Sequence, residues 1–394
     1  MRQPSSSSSR DPSRASSSLF PALPRHIKGR AAELSTLSRT VLATKPTRLA
    51  LVGAGGSGKS LLAAALAHRL ARRFPGGIHW FRVGAWDFRT LTEMLALRFG
   101  TPRERHALVP GIRRYLAEGG ERLIVLDNHE DDQAMARFLD ALSGTPATFI
   151  ITARRCLLAG VLVYPVTAPL ITSGKSAFPR VAALTRVLRW NPLALDIADA
   201  IVSSRAASVA EVAAFLDAHG IETVRVIDHE DDLPEVALLV AWAWKRLSPQ
   251  ARRMLGVLSH VEGDSVDLAS LAQLTRLRAR ADAATAIASL EKWHLVQEPM
   301  TKRYTVHAVV RHAVRRRTEL PPGLVFEHYV ALLEAHPARL MMEQTHLFAA
   351  MDHAHRIGDL SSMLRIERLL QTLDEEALDE EALAAFSPPP AASR

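Results

Sequence analysis

Gly53-Ala54-Gly55-Gly56-Ser57-Gly58-Lys59-Ser60 follows the apolar run Leu49-Ala50-Leu51-Val52 and leads into the alanine- and leucine-rich stretch Leu61 to Leu70. It fills every defined position of the phosphate-loop pattern G-x-x-x-x-G-K-[ST], and a strand before with a helix after is its proper setting. Glycines let the backbone turn tightly and aim successive N–H groups at one anion. The N-terminus of the following helix adds partial positive charge. In such a loop Lys59 reaches the β- and γ-phosphates, and the Ser60 hydroxyl completes a Mg²⁺ shell. Gly53 to Leu61 are therefore the candidate phosphate-binding residues.

From Arg48 to Val166 short apolar strands alternate with helical stretches. Gly77 to Val83 reads as a strand, Thr90 to Phe99 and Pro110 to Glu118 as helices. Leu123-Ile124-Val125-Leu126 and Thr148-Phe149-Ile150-Ile151-Thr152 are continuous apolar runs of the kind buried in parallel sheets, and a last strand falls at Val161 to Val166. This alternation predicts an α/β P-loop NTPase fold with a doubly wound parallel sheet. Ligands of such sheets bind beyond the carboxyl ends of the strands, where the glycine loop and Asp127 would meet.

Nucleotide chemistry needs a carboxylate to hold the metal and a group to orient water. Asp127, ending the apolar run 123–126, is the expected metal carboxylate. Asn128 follows it, and Glu130 is the candidate for polarising the water; the alternative is that Glu130-Asp131-Asp132 is only a solvated acidic loop. Arg154 leaves the next strand, where an arginine can sense a γ-phosphate. No N/T-K-x-D guanine motif follows a later strand, so ATP or ADP is the expected nucleotide, with Mg²⁺.

Beyond about Ala177 the strands nearly vanish. Alanine-, leucine- and arginine-rich helices run to about Leu373, broken by Pro192, Pro234, Pro249 and Pro321-Pro322. Between Ser248 and Arg317, helices precede two extended segments, Leu295 to Glu298 and Arg303 to Val306, which suggests a winged helix. Leu324 to Leu373 reads as antiparallel helices. The expected organisation is a Ser/Arg-rich disordered tail (1–26), the nucleotide domain (27–170), a helical domain (171–240), a winged-helix domain (241–318), a short helical segment (319–375) and a disordered tail (376–394).

Composition narrows the partners. The chain has 394 residues, 48% hydrophobic and 23% charged, ordinary values for a globular protein. Cys156 is the single cysteine, which excludes internal disulfides and cysteine-cluster zinc sites. No apolar run is long enough to span a bilayer, so the expectation is a cytoplasmic protein without a membrane partner. The formal charge of +8 is sharpest at Arg311-His312-Ala313-Val314-Arg315-Arg316-Arg317. That run could contact nucleic-acid phosphates, but no aromatic residues are interleaved with it for stacking, and a solvated helix face is the preferred reading. Asp374 to Glu376 and Asp379 to Glu381 form an acidic patch that could pair with the basic surface.

Several motifs in order resemble the NB-ARC class of STAND ATPases, in the bacterial form found in AfsR-like and LuxR-type regulators. Lys28-Gly29-Arg30-Ala31-Ala32-Glu33-Leu34 resembles the G-R-x-x-E-L motif ahead of the phosphate loop. Leu126 to Glu130 resembles L-D-N-x-E, and Thr152-Ala153-Arg154 resembles the T-S-R sensor segment. Tyr164-Pro165-Val166 resembles the strand that follows. Asn191-Pro192-Leu193-Ala194-Leu195 is similar to G-L-P-L-A, with Trp190 and Asn191 where Gly and Leu are expected. Trp244 to Ser248 resembles W-x-x-L-S, and Tyr304 to Arg311 resembles the closing motif.

The resemblance, over roughly Ile27 to Arg317, implies a signalling switch. It places Arg30 among the nucleotide-binding residues, Pro192 on the adenine, and His307 on the ADP β-phosphate, holding a closed state. ATP would engage Arg154 instead, release the lock and expose surfaces for self-association or an effector protein. Slow hydrolysis by Lys59, Asp127, Glu130 and Arg154 would reset it. The alternatives are a winged-helix DNA-binding transcriptional regulator, a nucleotide-independent scaffold, and a continuously cycling ATPase.

Overall fold

The structure, a computed structural model, describes residues 21, 30–45, 47–101, 103, 106–167, 178–219, 233–261, 265–277, 279–321 and 323–370. Lys28, Gly29, most of the tail 1–26, the acidic patch at 374–381 and the tail 376–394 lie outside the described residues. The chain divides into two compact units, Met1–Leu320 and Pro321–Arg394.

The first unit opens with α1 (Ala31–Ala43). β1 (Arg48–Val52) then runs into the glycine loop and α2 (Lys59–Leu70). There follow β2 (Ile78–Arg82), α3 (Phe88–Phe99), α4 (Leu108–Ala117), β3 (Leu123–His129), α5 (Asp132–Ala141), β4 (Thr148–Ala153) and β5 (Leu162–Pro165). The strands form one five-stranded sheet of order β2-β3-β4-β1-β5, parallel throughout. Side chains alternate across it. Leu49, Leu51, Trp80, Leu123, Val125 and Ile150 share a core with Leu37 and Val41 of α1 and Leu62 and Leu66 of α2. On the opposite face Phe81 meets Phe99 of α3 and Phe149 meets Phe138 of α5, each edge-on at 6.2 Å. Burial on both faces is why these strands read as unbroken apolar runs.

Two boundaries that differ from the sequence reading bear on the site. α2 begins at Lys59, so Lys59 and Ser60 lie in its first turn. β3 continues past Leu126 to His129, with a register shift against β4 between Leu126 and His129. Asn128 there adopts a left-handed φ of 62°. Its N–H donates to the Thr152 hydroxyl at 2.9 Å, which fixes the irregular turn across the sheet.

The remainder of the unit is α6 (Pro192–Ser203), α7 (Val209–Ala218), α8 (Pro234–Arg246), α9 (Pro249–His260), β6 (Val266–Asp267), α10 (Leu268–Leu274), α11 (Arg280–Lys292), β7 (Gln297–Met300), β8 (Arg303–Thr305) and α12 (Ala308–Arg315). Pro192, Pro234 and Pro249 each open a helix, where the missing N–H costs no bond. The three short strands form an antiparallel sheet of order β6-β8-β7. Its hairpin sits two residues later than expected in the first strand, because Leu295 and Val296, only 1% and 5% exposed, enter the core instead. Arg303 is buried and ties β8 to the start of β6 by donating to Ser265 Oγ (3.0 Å) and Ser265 O (2.6 Å). α9 packs on α11 and α12.

The arginine run at 311–317 is not a uniformly solvated face. Val310 and Val314 are buried, Arg315 donates to Ser259 O and Arg317 to Ala313 O, both at 2.6 Å; Arg316 and Arg317 are exposed. In the second unit, α13 (Leu324–Ala335), α14 (Leu340–Ile357) and a helix over residues 360–370 pack together. Tyr329 stacks on His346 at 4.0 Å, and Arg365 bridges Glu327 (2.6 Å) and Glu334 (3.3 Å).

Candidate functional site

β1 delivers the glycine loop to the carboxyl edge of the sheet, between β4 and β5. Gly53 N–H donates to Ala153 O at 3.3 Å, and a Cβ at Gly53 would stand 2.4 Å from the backbone oxygen of Val166. Only glycine fits there. Gly58 caps α2 with φ 89°, the left-handed conformation that turns the chain into the helix.

Ser60 Oγ donates to Asp127 Oδ1 at 2.6 Å, and Thr152 Oγ1 donates to the same oxygen at 2.6 Å. Loop, helix terminus and acid thus converge from β1, α2 and β3. This is a P-loop fold. The donor set suits Mg²⁺: a hydroxyl and a carboxylate oxygen in mutual contact are hard ligands. Two protein ligands are what Mg²⁺ takes when substrate phosphate and water complete its octahedron.

Lys59 Nζ donates to Gly53 O (2.8 Å) and Ala54 O (2.9 Å), folding the ammonium over the mouth of the loop. Burial, then the Arg154 charge, push its pKa down to about 8, while Asp127 acts against them. Arg30 lies beneath the loop, 3% exposed. Its Nη1 donates to both Glu33 oxygens (2.9 and 2.8 Å), and its Nη2 to Ser57 O (2.5 Å) and Thr167 O (2.8 Å). These donors are spent on protein, so in this structure Arg30 braces the loop rather than offering itself to a nucleotide.

Glu130 is exposed, and Asn128 Nδ2 donates to its Oε1 at 2.8 Å. The pair stands at the end of β3. Arg154 follows β4 and is near enough to Lys59 to lower its proton affinity. His307 is the N-cap of α12: its Nδ1 accepts from Val309 N–H at 3.2 Å. Burial first, then Lys59, Arg82, Arg311 and Arg154, push its pKa down to about 4. The segment after β8 therefore lies within electrostatic reach of Lys59.

Asn191 caps α6, accepting from Leu193 N–H (3.0 Å) and Ala194 N–H (3.1 Å), with Pro192 at the first helical position. Its Oδ1 lies 3.0 Å from where a Gly56 Cβ would be, so this helix start touches the loop. Trp190 has φ 58° and is 49% exposed, which explains why glycine suits that position in the resembling motif.

Three contributors escaped the sequence reading. Thr152 was noted only as part of a motif, yet its hydroxyl sets both Asp127 and Asn128. His129, 5% exposed, holds Asp132 Oδ1 at 2.7 Å, and Asp132 Oδ2 accepts Leu157 N–H at 2.9 Å, joining the end of β3 to the segment after Arg154. Arg82 closes β2 directly beside Asp127. The signal for Arg82 was a cation closing the strand Ile78–Arg82, two residues beyond Trp80.

No family model matches the chain. The chain is 27% identical over 313 residues to the regulatory protein AfsR of Streptomyces coelicolor, covering 72% of this chain and 31% of that protein. It thus spans about a third of the relative's length. Among solved structures it is similar to the Aeropyrum pernix Orc1 protein in complex with DNA (TM-score 0.35, 16% identity, 75% of this chain and 94% of that one). It is also similar to Cdc6p of Pyrobaculum aerophilum (TM-score 0.35, 12% identity, 76% and 97%). Among the described residues no helix is long and apolar enough to cross a membrane.

Proposed function

We propose that this protein is an ATP- and ADP-binding switch of the NB-ARC type, regulatory in output. The helices and hairpin over 241–318 then serve as a winged helix that closes on the nucleotide domain. The observation that carries the reading is His307. It caps α12, more than 240 positions along the chain from the loop, yet Lys59 and Arg154 lie close enough to depress its proton affinity. A diphosphate in the loop would accept from loop N–H groups and Lys59 on one side and meet the His307 imidazole on the other, joining the two regions.

Lys59 leaves the Gly53 and Ala54 carbonyls to meet phosphate oxygens, and its burial makes that charge interaction stronger than it would be in water. Bound Mg²⁺ would supply charge neutralisation at the terminal phosphates, held by Ser60 and Asp127. Thr152 keeps Asp127 oriented. Glu130, hydrogen-bonded by Asn128, would accept a proton from an attacking water, and Arg154 would answer to the γ-phosphate. The likeness to AfsR, a regulatory protein, supports a regulatory role, with self-association in the ATP form and a separate effector as its partners.

The test is calorimetry with ADP, together with identification of any nucleotide that co-purifies. Lys59→Ala should weaken ADP at least ~100-fold, about 2.7 kcal/mol. Unchanged affinity would reject the site.

A further inference from the structure

The sheet brings one more cation to the same edge. β2, β3 and β4 are adjacent, and Arg82 is registered opposite Asp127. Residues two apart on a strand share a face. Trp80, Val125 and Ile150 all lie in the core beneath α1 and α2. Two positions further on, the same face carries Arg82, Asp127 and Thr152 as a row along the carboxyl ends. The bonds from Ser60 and Thr152 to Asp127 fix that orientation for the middle of the row.

Arg82 is half-buried, and its guanidinium makes no hydrogen bond or ion pair with any described residue. Its nitrogens stay reachable from solvent, so an anion arriving at the strand ends can take the donors that no described residue uses. Its position says which anion. The glycine loop follows β1, and the strand order outward is β4, β3, β2, so Arg82 lies beyond Asp127 on the side away from the loop. The loop backbone serves the inner phosphates; the group that extends furthest toward β3 and β2 is the last one. Lys59 and Arg82 both lower the proton affinity of the His307 ring, so both charges lie within electrostatic reach of it.

We propose that Arg82 binds the terminal phosphate of a nucleoside triphosphate and, with Arg154, distinguishes ATP from ADP. This rests on the nucleotide reading above. A planar guanidinium can take two phosphate oxygens at once.

The experiment titrates the full chain, wild type and Arg82→Ala, with ADP and with Mg²⁺ plus a non-hydrolysable ATP analogue. The expected result for Arg82→Ala is a ~10- to 100-fold loss for the analogue, with ADP held within ~3-fold. Arg82→Lys keeps the charge but not the fork and should lose part of the analogue's affinity selectively. It also decides the matter by the same difference if the alanine variant does not fold. An unchanged analogue affinity, or an equal loss for both nucleotides, overturns the proposal. If wild type binds ADP, Lys59→Ala does not, and Arg82→Ala behaves as wild type, only the Arg82 role fails. If wild type binds neither nucleotide, the whole reading fails with it.

Discussion

His307 is neutral at physiological pH because burial and four neighbouring cations push its pKa down to about 4. An unfolded chain binds that proton near pH 6.5. Between those values the unfolded state holds more protons than the native one, so stability is full above pH 6.5 and falls as pH drops toward 4. At 1.36 kcal/mol per pH unit, the loss from pH 6.5 to 5 is at most about 2 kcal/mol from this residue. His79, buried beside Phe99 and Tyr115 with a pKa pushed down to about 3, adds in the same direction. His307→Asn keeps a good N-cap for α12 while removing the titrating ring. Urea unfolding at pH 7 and pH 5 should show a smaller acid loss in that variant. An identical loss would mean that the ring does not sit among those cations.

At the scale of elements, the sheet was legible because burial on both faces demands continuous apolar runs, and 123–126 and 148–152 have them. The glycine loop was legible because close backbone approach leaves few residue types open. The end of β3 was not. A left-handed Asn128 inside a strand is decided by the Thr152 hydroxyl on the neighbouring strand, a partner 24 positions away. Arg30 shows the same limit: its motif marked it as important, but only the fold shows its guanidinium spent on Glu33, Ser57 and Thr167. The hairpin slipped because Leu295 and Val296 gain more by entering the core than by pairing in β7. Thr152→Val tests the β3–β4 junction. It preserves shape but strands the Asn128 N–H and removes one donor from Asp127, which should cost about 1–3 kcal/mol in urea unfolding. Thr152→Ser, which retains the hydroxyl, should cost less. Equal costs would show that the methyl packing matters and the hydrogen bonds do not.

At the scale of the whole molecule, a switch needs two states whose affinities for the two nucleotides differ. Moving an equilibrium from 1:99 to 99:1 takes about 5.5 kcal/mol of differential binding. In the first unit, the contacts able to supply it are divided. On the proposed reading His307 meets a diphosphate in the closed arrangement, while Arg154 and Arg82 meet a further phosphate. If His307 contributes one charge-assisted bond of about 1.5–3 kcal/mol, its loss should speed ADP release by ~10- to 100-fold. His307→Ala removes both the ring and the α12 cap, whereas His307→Asn removes only the ring. Dissociation of a fluorescent ADP analogue, followed by chasing with unlabelled ADP, should therefore be accelerated in both variants. Acceleration in the alanine variant alone would assign the effect to a frayed α12, and wild-type rates in both would leave the closed state without its histidine latch.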